Sequence, residues 1–563
     1  MALSKETRDL IRKFAIKNAI DYGKADLGSV LGKVIAQAKG VPIPELKRET
    51  ESIVKEVNMM KKQDLEREYK PFEKEFEERA REVVKKTEKP KMELEGAVLG
   101  DFATRWPPEP SGYQHVGHAK PIFLEDEFRR IYKGKLFLYF DDTNPEKEKQ
   151  EYVDADKADL KWLGINFDKE YYASDNMEKI YDCAKQLISS GYAYVCSCDQ
   201  ETMKSKRLAM EECEHRKRNL KENTSEFEKM LNGKYKEGAA ILRFKGDMAS
   251  QNTTMRDPTI ARIKSGKHYR QGTKYVVWPT YDLAAPINDS INGVTDVLRS
   301  KEYELRDELD KKILSLLGMR IPRIHPFSRL NIKGNTTHKR EIKELIANKT
   351  LDGWDDPRLM TFIALKRRGI MPEAIRRFAL KSGMTKTDSI LPLESLLAEN
   401  RKIIDPIAKH LFFVSDPVKV TVQGVSEAKL RLHPTLEMGY RTYKVDTVFY
   451  VQKTDYDLIA KGHTLILKDL SGGIVGSAKS RKEQQNDIVQ WVSDNNYVEC
   501  SIIAPGELID SEGRLNKNSM KTITGYVESY AKNLKEREIV QFERFGYCIL
   551  DDKKKMQFIF ISK

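Results

Sequence analysis

Cysteine is scarce in this sequence, with six residues in a chain of 563. So few thiols in so long a chain do not form a disulfide scaffold of the kind found in small secreted proteins. Long apolar runs are also lacking, and none reaches the length that spans a bilayer. The opening stretch, MALSKETRDLIRKFAIKN, lacks the apolar core of a secretory signal. We therefore predict a cytoplasmic protein with no membrane partner.

Charge, by contrast, is abundant. Charged residues make up 33% of the chain and hydrophobic residues 40%, and the formal net charge is +13. A basic excess of this size favours a polyanionic partner, most often nucleic acid. A lysine-rich surface that only aids solubility would give the same excess, so the charge by itself leaves both interpretations open. The length exceeds what one hydrophobic core holds and predicts three or more domains.

The chain begins with a charged helical region and then alternates between strands and helices. In the first helix, one face is apolar at helical spacing: Leu10, Ile11, Phe14, Ala15 and Ala19. From residue 99, the stretches AVLGDFATRW, HAKPIFLEDEFRRIYKG and KLFLYFDDTNP indicate a strand, a helix and a strand, and a further helix follows. This order predicts a Rossmann-like, doubly wound parallel sheet that binds ligands at the carboxyl ends of its strands.

Changes of pattern along the chain predict a multidomain α/β protein. A cysteine-containing insert interrupts the sheet, a helical connector follows it, and short strands with Gly/Asp turns predict C-terminal antiparallel β-barrels. The predicted segments are an N-terminal helical domain, 1–98; the first half of the Rossmann-like domain, 99–192; the insert, 193–275; the second half of the Rossmann-like domain, 276–339; the connector, 340–410; and the barrel region, 411–563.

The stretch RWPPEPSGYQHVGHAK, residues 105–120, lies where the first strand passes into a helix. Its prolines fix a tight loop, and Gly112 and Gly117 allow a ligand to approach the backbone closely. His115 and His118 lie three positions apart and share a face at the positive end of the helix. This arrangement favours a phosphate ligand. Two ordinary polar residues at a helix N-terminus, or half of a metal site, would give the same pattern.

The insert contains two short cysteine motifs. They are Cys196-x-Cys198 and Cys213-x-His215. Three thiolates and one imidazole can form a tetrahedral zinc site. These spacings differ from the commoner CxxC knuckle, so free thiols in a reducing compartment remain the alternative interpretation.

Several long motifs in order resemble one protein family. The first stretch resembles the HIGH signature of class I aminoacyl-tRNA synthetases, and more narrowly the archaeal and eukaryotic type of the glutamyl/glutaminyl branch. Further similar stretches are LYFDDTNPEKEKQEY, WPTYDLAAPINDSINGVTDVLRSKEY, FSRLNIKG, NRKIIDPIAKHLFFV and FERFGYCILDD. The resemblance covers roughly residues 90–563. It is far more specific than any single motif because the order is kept.

The resemblance implies a two-step reaction. The carboxylate of the amino acid attacks the α-phosphate of ATP, which yields an aminoacyl-adenylate and pyrophosphate, and the terminal ribose of tRNA then accepts the aminoacyl group. Positioning and charge stabilisation, shared with Mg²⁺, carry such chemistry. The residues implied for ATP are Pro110, Ser111, Gly112, His115, Gly117, His118, Arg329, Leu330 and Lys339, where Lys339 is the lysine of the second signature.

The amino-acid pocket follows from the charges of a glutamate substrate, which has two carboxylates and one ammonium. By the resemblance, Arg105 and Asp142 bind substrate charges, and Tyr281 donates or accepts a hydrogen bond. Arg299 discriminates between the two branches, because the glutamyl enzymes carry arginine here and the glutaminyl enzymes a small neutral residue. A buried guanidinium pairs with a carboxylate and is left uncompensated by a carboxamide. The sequence therefore favours glutamate.

Three residues depart from the family pattern. His338 stands where a serine precedes the signature lysine, Tyr139 where arginine is common, and Asp296 where histidine is usual. These departures keep open a catalytically inactive tRNA-binding relative, beside the glutamine–tRNA ligase and an adenylyl-transferring enzyme without tRNA. Both histidines and Lys339 are retained, which favours an active enzyme. We expect this enzyme to be a monomer.

The same resemblance extends to the insert and the barrels. Family members can carry a structural zinc in this insert, which they place against the acceptor end of tRNA. For the barrels, the resemblance implies tRNA binding, with these candidate contacts: Arg431, Arg441, Arg481 and Lys482.

Overall fold

The computed structural model describes residues 4–35, 38, 41–73, 76, 92–332, 334–335, 338–475, 486–510 and 512–563. The chain separates into two compact units, Met1–Lys89 and Pro90–Lys563. Among the described residues, no helix combines the length and apolarity that a membrane crossing requires. The candidate tRNA contacts Arg481 and Lys482 lie outside the described residues.

The first unit is helical, as the spacing of its apolar residues predicts. Ile11, Phe14 and Ala15 are buried in its core. The first helix begins after Ser4, whose side chain accepts a hydrogen bond from the Thr7 amide and so caps an otherwise unpaired donor. The helices of this unit are Lys5–Tyr22, Leu27–Ile35, Ile43–Met59 and Lys62–Tyr69.

The second unit contains the predicted parallel sheet in two pieces. They meet where the Thr295 amide donates a hydrogen bond to the Ala103 carbonyl at 2.9 Å. The strands of one piece are Ala103–Trp106, Lys135–Phe140 and Lys169–Tyr172, and those of the other are Asp296–Ser300 and Arg323–Phe327. The helices between and after them are Ala119–Ile131, Gln150–Trp162, Met177–Ser189, Tyr281–Ile291 and Asp307–Leu316. The predicted fold class is therefore confirmed.

The strand Lys135–Phe140 shows why this sheet lies at the centre of the unit. Leu136 and Leu138 pack into one apolar cluster, and Phe137 and Tyr139 pack into another. Since side chains alternate along a strand, these clusters lie on opposite faces of the sheet. Because this strand is buried on both faces, its carboxyl end is also buried. Polar groups that follow the strand are therefore removed from water.

The start of the second unit lies earlier than the predicted boundary at residue 99. Leu94 is buried in a cluster with Phe102 and Phe128. The Leu94 amide donates a hydrogen bond to the Tyr132 hydroxyl at 2.8 Å. The segment that contains Leu94 thus packs with the parallel sheet of the second unit.

The insert is built on an antiparallel sheet. Its strands are Ala193–Cys196, Ile241–Phe244, Thr259–Ile263 and Val277–Pro279, and its helices are Gln200–Ala209 and Leu220–Leu231. The fourth strand begins at Val277, beyond the predicted end of the insert at residue 275, and leads into the helix Tyr281–Ile291. The insert and the catalytic sheet are therefore joined by a short connection.

A helical segment and a set of β-sheets complete the unit. The helices of the connector are Lys339–Ala347, Phe362–Arg367, Pro372–Leu380 and Leu393–Ile404, with short strands at Leu330–Ile332 and Ser389–Leu391. The C-terminal strands are Lys409–Leu411, Phe413–Ser415, Pro417–Thr421, Glu427–Arg431, Tyr440–Lys444, Val448–Gln452, Thr464–Leu467, Ile474–Val475, Asn486–Val489, Val492–Ser493, Tyr497–Pro505, Met520–Glu528, Ile539–Phe542, Gly546–Asp552 and Gln557–Ser562.

Most C-terminal strand pairs are antiparallel, as predicted, but the seven-stranded sheet also contains parallel pairs. One predicted tRNA contact in this region has a structural role instead. Arg441 is buried and donates to Glu528 at 2.6 Å. Arg431, in contrast, is exposed and pairs with Glu437 at 2.7 Å. Of the two arginines, only Arg431 offers its side chain to a tRNA.

Candidate active site

A cleft of about 650 Å³ opens at the carboxyl ends of the parallel strands. The first signature loop, the ends of two strands and the start of the helix Tyr281–Ile291 form its walls. The cleft brings together these predicted residues: Arg105, His115, Gly117, His118, Tyr281, Arg299, Arg329 and Leu330. The other residues predicted for ATP and the amino acid lie outside its lining: Pro110, Ser111, Gly112, Asp142 and Lys339.

His115 and His118 lie side by side where the loop enters its helix, with ring centroids 3.9 Å apart. The Nδ1 atom of His115 accepts a hydrogen bond from the Gly117 amide at 3.1 Å, and Nδ1 of His118 accepts one from the His115 amide at 3.1 Å. A neutral imidazole that accepts at Nδ1 carries its proton on Nε2. Both rings therefore offer an Nε2–H group as a donor.

Burial keeps these two imidazoles neutral. Together with the positive charge of Lys339, it lowers the pKa of His115 to about 3. It also lowers the pKa of His118 well below its usual range, and the neighbouring His115 adds to the effect. Neutral rings can hold phosphate oxygens through hydrogen bonds without exchanging protons near neutral pH. This arrangement suits a positioning role better than general acid–base catalysis.

Close packing explains the glycine between the histidines. The Val116 amide donates a hydrogen bond to the Met360 carbonyl at 2.8 Å, which ties the loop to the connector. A Cβ atom added to Gly117 would come within 2.8 Å of His115 Cε1. Only glycine therefore leaves the His115 ring in its observed position.

Lys339 is the first residue of a helix and reaches back to the first signature loop. Its Nζ atom donates a hydrogen bond to Ser111 Oγ at 3.2 Å. It also passes so close to Gly112 that a Cβ added there would lie 2.9 Å from Lys339 Cδ. Burial lowers the pKa of Lys339. Ser111 and Gly112 thus seat the lysine, while the preceding residue, His338, lines the cleft.

Arg329 and Leu330 form another wall of the cleft. Leu330 is buried and begins the strand Leu330–Ile332. Arg329 is exposed and pairs with Glu302. An apolar surface beside a cation suits the flat face of an adenine ring near phosphate groups.

Arg299 also lines the cleft, and its side chain is 8% exposed. Its Nη1 atom donates to Asp310 at 2.6 Å and to the Tyr281 hydroxyl at 3.2 Å, and Nη2 donates to Asp307. Its Nε atom has no hydrogen-bond partner in the described part of the chain. Burial raises the pKa of Asp310 to about 6, although Arg299 opposes the shift. The motif predicted Arg299 and Tyr281, but neither aspartate.

Arg105 is 1% exposed and pairs with Asp289, whose Oδ1 atom accepts from Nε at 2.7 Å. Its Nη1 atom is buried and finds no partner among the residues that the structure describes. The pKa of Arg105 is raised; burial opposes the shift and Asp289 drives it. An arginine that is anchored through Nε has its Nη atoms available for a ligand carboxylate.

Two aspartates, Asp141 and Asp142, follow the second strand, and only Asp141 lines the cleft. Asp142 accepts hydrogen bonds from the Ser174 amide and hydroxyl, both at 2.8 Å, and from the Tyr269 hydroxyl at 3.0 Å. Asp141 lines the cleft, and its Oδ1 atom has no partner among the described residues. Burial raises the pKa of Asp141 to about 7. The anionic contact predicted at Asp142 is therefore better placed at Asp141.

Two departures from the family pattern have different surroundings. Tyr139 lines the cleft and stacks on Tyr171 with ring centroids 4.8 Å apart. Asp296 lies outside the lining and accepts hydrogen bonds from Arg323 at 2.6 Å and from His325 at 2.9 Å. Because these partners balance its charge, Asp296 adds no free negative charge to the amino-acid end.

The insert brings its cysteine motifs together. Cys196 Sγ lies 3.8 Å from Cys213 Sγ and 3.7 Å from His215 Nδ1, and Cys198 Sγ lies 3.4 Å from His215 Nδ1. Tetrahedral zinc with ordinary bond lengths gives edges of roughly 3.8 Å between sulfurs and about 3.5 Å between sulfur and nitrogen. Arg243 Nη1 lies 3.6 Å from Cys213 Sγ and can balance thiolate charge. The donor set therefore fits zinc.

Comparison with known families agrees with this architecture. Residues 101–406 match the family model described as tRNA synthetases class I (E and Q), catalytic domain. Residues 408–494 and 488–551 match two family models described as the anti-codon binding domain of the same synthetases. The chain belongs to the class I tRNA synthetases of the E and Q family.

Curated relatives narrow the comparison within that family. The glutamate–tRNA ligase of Nitrosopumilus maritimus (strain SCM1) is 39% identical, and the alignment covers 99% of this chain and 100% of the relative. The glutamate–tRNA ligase of Cenarchaeum symbiosum (strain A) is 38% identical over 95% of this chain and 96% of its own. The chain is thus similar along its whole length to archaeal glutamate–tRNA ligases.

Proposed function

We propose that this protein ligates L-glutamate to the 3′ end of tRNA, with ATP as co-substrate and a glutamyl-adenylate as intermediate. The position of Arg299 carries the proposal. Its buried guanidinium lies at one end of the cleft beside the Tyr281 hydroxyl, while the paired histidines lie in the same cleft. A carboxylate side chain can pair with this cation beside Asp307 and Asp310, whereas a carboxamide brings no negative charge to it.

The chain's own residues divide the work on ATP. His115 and His118 donate from Nε2 to phosphate oxygens, and Leu330 packs against the adenosine. Lys339 stabilises the negative charge that develops at the α-phosphate, since its Nζ atom is held at Ser111 beside the same loop. Mg²⁺, bound mainly by the phosphates, would neutralise part of their charge.

The amino-acid end has a cation for each carboxylate and an acid for the ammonium. Arg299 and Tyr281 receive the side-chain carboxylate, and Arg105 receives substrate oxygen atoms through its unanchored Nη atoms. Asp141 takes the ammonium, because its unpartnered oxygen lines the cleft among the described residues. Orientation by such fixed charges brings the reacting carboxylate toward ATP without a proton-transfer catalyst.

Binding of tRNA is assigned to the insert and to the C-terminal sheets, which match anti-codon binding domains. Cys196, Cys198, Cys213 and His215 would hold a structural zinc, which would fix the shape of the insert. We also propose that the enzyme works as a cytoplasmic monomer.

The zinc assignment predicts about one zinc per chain in protein purified without chelators, as expected for a Cys/His structural site. Cys213→Ser should lose the metal and lower the temperature at which the insert unfolds. Cys183→Ser provides the matched control, because Cys183 is a cysteine outside the cluster. Elemental analysis checks the metal content, and a fully folded, metal-free wild-type protein would refute the assignment.

Charging of tRNA tests the proposal itself. Incubation with total tRNA, ATP, Mg²⁺ and labelled glutamate is expected to give acid-precipitable label that mild base releases as glutamate. The same tRNA treated with periodate, which destroys the terminal ribose diol, is the control and should remain unlabelled. Absence of label on intact tRNA, despite measurable tRNA binding, would leave the chain as an inactive tRNA binder.

A further inference from the structure

Glu125 is a buried acid that neither the motifs nor the reaction described so far uses. It lies in the helix Ala119–Ile131 that follows the paired histidines, and it lines the amino-acid end of the cleft. Its side chain is 0% exposed. Both of its carboxyl oxygens lack a hydrogen-bond partner within the described parts of the chain.

Such a group has a cost that the fold alone does not offset. Buried polar groups in proteins are almost always hydrogen-bonded, and an unpaired buried carboxyl costs several kcal/mol. An unpartnered group of this kind that faces a ligand cleft therefore indicates a contact that forms when the ligand binds. Glutamate bound in the cleft would supply such a contact, because Glu125 lines the cleft together with Arg105, Tyr281 and Arg299.

The charges around Glu125 determine the form in which it acts. Arg105, on the first strand, is already paired with Asp289 of the helix Tyr281–Ile291. Tyr171, on the third strand, also faces this group, and burial and nearby acids keep its hydroxyl neutral by raising its pKa. An ionised Glu125 would place a second negative charge at Arg105 and repel an incoming carboxylate. A protonated Glu125 instead offers an O–H donor to that carboxylate.

We propose that Glu125 is a substrate-binding residue whose protonated carboxyl donates a hydrogen bond to the glutamate carboxylate that Arg105 receives. The inference rests on the proposed function and deepens it, because it adds a neutral donor to the two guanidiniums of the amino-acid pocket. It also gives a partner to the protonated oxygen of Glu125 and to the Nη1 atom of Arg105, which are both unpartnered within the described structure.

Electrostatics support this role. Burial raises the pKa of Glu125 well above its usual range, Arg105 opposes the shift and Asp289 adds to it. The binding-competent form is therefore the protonated one, which is lost as the pH rises through the raised pKa. Asp141 has the opposite effect on glutamate binding as the pH rises. Its ionised form binds the ammonium, and this form is gained as the pH rises through its pKa of about 7. Because the substrate ammonium also loses its proton at alkaline pH, only the part of the alkaline loss of glutamate affinity that Glu125→Gln abolishes reports Glu125.

Two substitutions of nearly equal size separate donation from mere space filling. Glu125→Gln keeps a neutral donor, and Glu125→Met keeps the volume without one. The KM for glutamate is measured in tRNA charging from neutral to alkaline pH. In Glu125→Gln it should stay within about threefold of wild type at neutral pH and should rise less steeply than in wild type on the alkaline side, as for an amide donor that keeps its protons. In Glu125→Met it should rise by about tenfold or more at neutral pH, as for loss of a hydrogen bond to a charged group. The KM for ATP should remain unchanged in both.

The outcomes decide between clear alternatives. An unchanged KM for glutamate in Glu125→Met would overturn the proposal, because the residue would then have no contact with substrate. Equal damage in Glu125→Gln and Glu125→Met would also overturn it, because an ionised carboxylate would then be required. Calorimetry measures the binding of glutamate to the full chain and to both variants, and it does not depend on tRNA charging. If Glu125→Gln binds glutamate nearly as wild type does, Glu125→Met binds it more weakly, and no tRNA is charged, only the proposed ligase activity is refuted.

Discussion

Replacing Arg299 by cysteine is expected to lower kcat/KM for glutamate by about 100- to 1,000-fold, the range that loss of one partner from a buried charge pair implies. The substitution removes the cation for the substrate carboxylate. It also leaves Asp307 and Asp310, which now pair with Arg299, facing the pocket without a counter-charge. Charging kinetics with glutamate and with glutamine measure the effect, and the ratio of the two specificity constants is insensitive to partial unfolding.

A surface arginine supplies the matched control for this experiment. Arg320 is half exposed and lies 3.9 Å from Asp101, outside the cleft. Arg320→Cys should therefore leave kcat/KM for both amino acids within about twofold of wild type, as expected for an exposed pair. Unchanged glutamate kinetics in Arg299→Cys would remove Arg299 from the substrate pocket and with it the argument for glutamate.

Substituting Gly117 by alanine is expected to lower kcat by about 100-fold, the loss typical of a displacement of about 1 Å among positioning groups. The new methyl group would lie 2.8 Å from His115 Cε1 and 2.9 Å from its Nδ1. The imidazole must move and lose the hydrogen bond that fixes its Nε2–H donor. Single-turnover formation of the glutamyl-adenylate, with saturating ATP, measures this step directly.

A glycine with free space around it is the control for that substitution. Gly32 lies within the helix Leu27–Ile35, and a Cβ added there would have nothing within 4 Å. Gly32→Ala should leave adenylate formation unchanged and should not destabilise its helix, because alanine has the higher helix propensity. Wild-type rates in Gly117→Ala would mean that the position of His115 does not matter for the chemistry.

The amino-acid sequence predicted those features that local patterns carry. The apolar run KLFLYF predicted a strand buried on both faces, and the short spacings around Cys196 and Cys213 predicted a cluster whose members do lie together. The order of the long motifs predicted a cleft that contains both the paired histidines and Arg299. In each case neighbouring residues, or a fixed series of motifs, contain the information.

The choice between Asp141 and Asp142 was also within reach of the sequence. Side chains alternate along a strand, so Asp141 continues the face of Tyr139, which lines the cleft, and Asp142 continues the opposite face. The chemistry of the two residues is the same, and only this alternation distinguishes them. The resemblance pointed to Asp142, whereas the lining of the cleft favours Asp141, the residue that directly follows the strand.

Other features depend on contacts between distant segments and have no local pattern. Glu125 lies in the interior of an ordinary amphipathic helix, and its burial beside Arg105 follows only from the way in which that helix packs on the sheet. Asp310 likewise meets Arg299 through the packing of the next helix. Arg441 looked like a surface contact for tRNA, but a partner 87 positions away, Glu528, holds it inside.

Competition among all twenty amino acids tests the central claim most directly. The protein is incubated with total tRNA, ATP, Mg²⁺ and an equimolar mixture of the amino acids, and the amino acids released from the recovered tRNA by mild base are identified by mass spectrometry. The account predicts glutamate alone. Glutamine in its place would contradict the pairing of a substrate carboxylate with Arg299 and would assign the cleft to the other branch of the family.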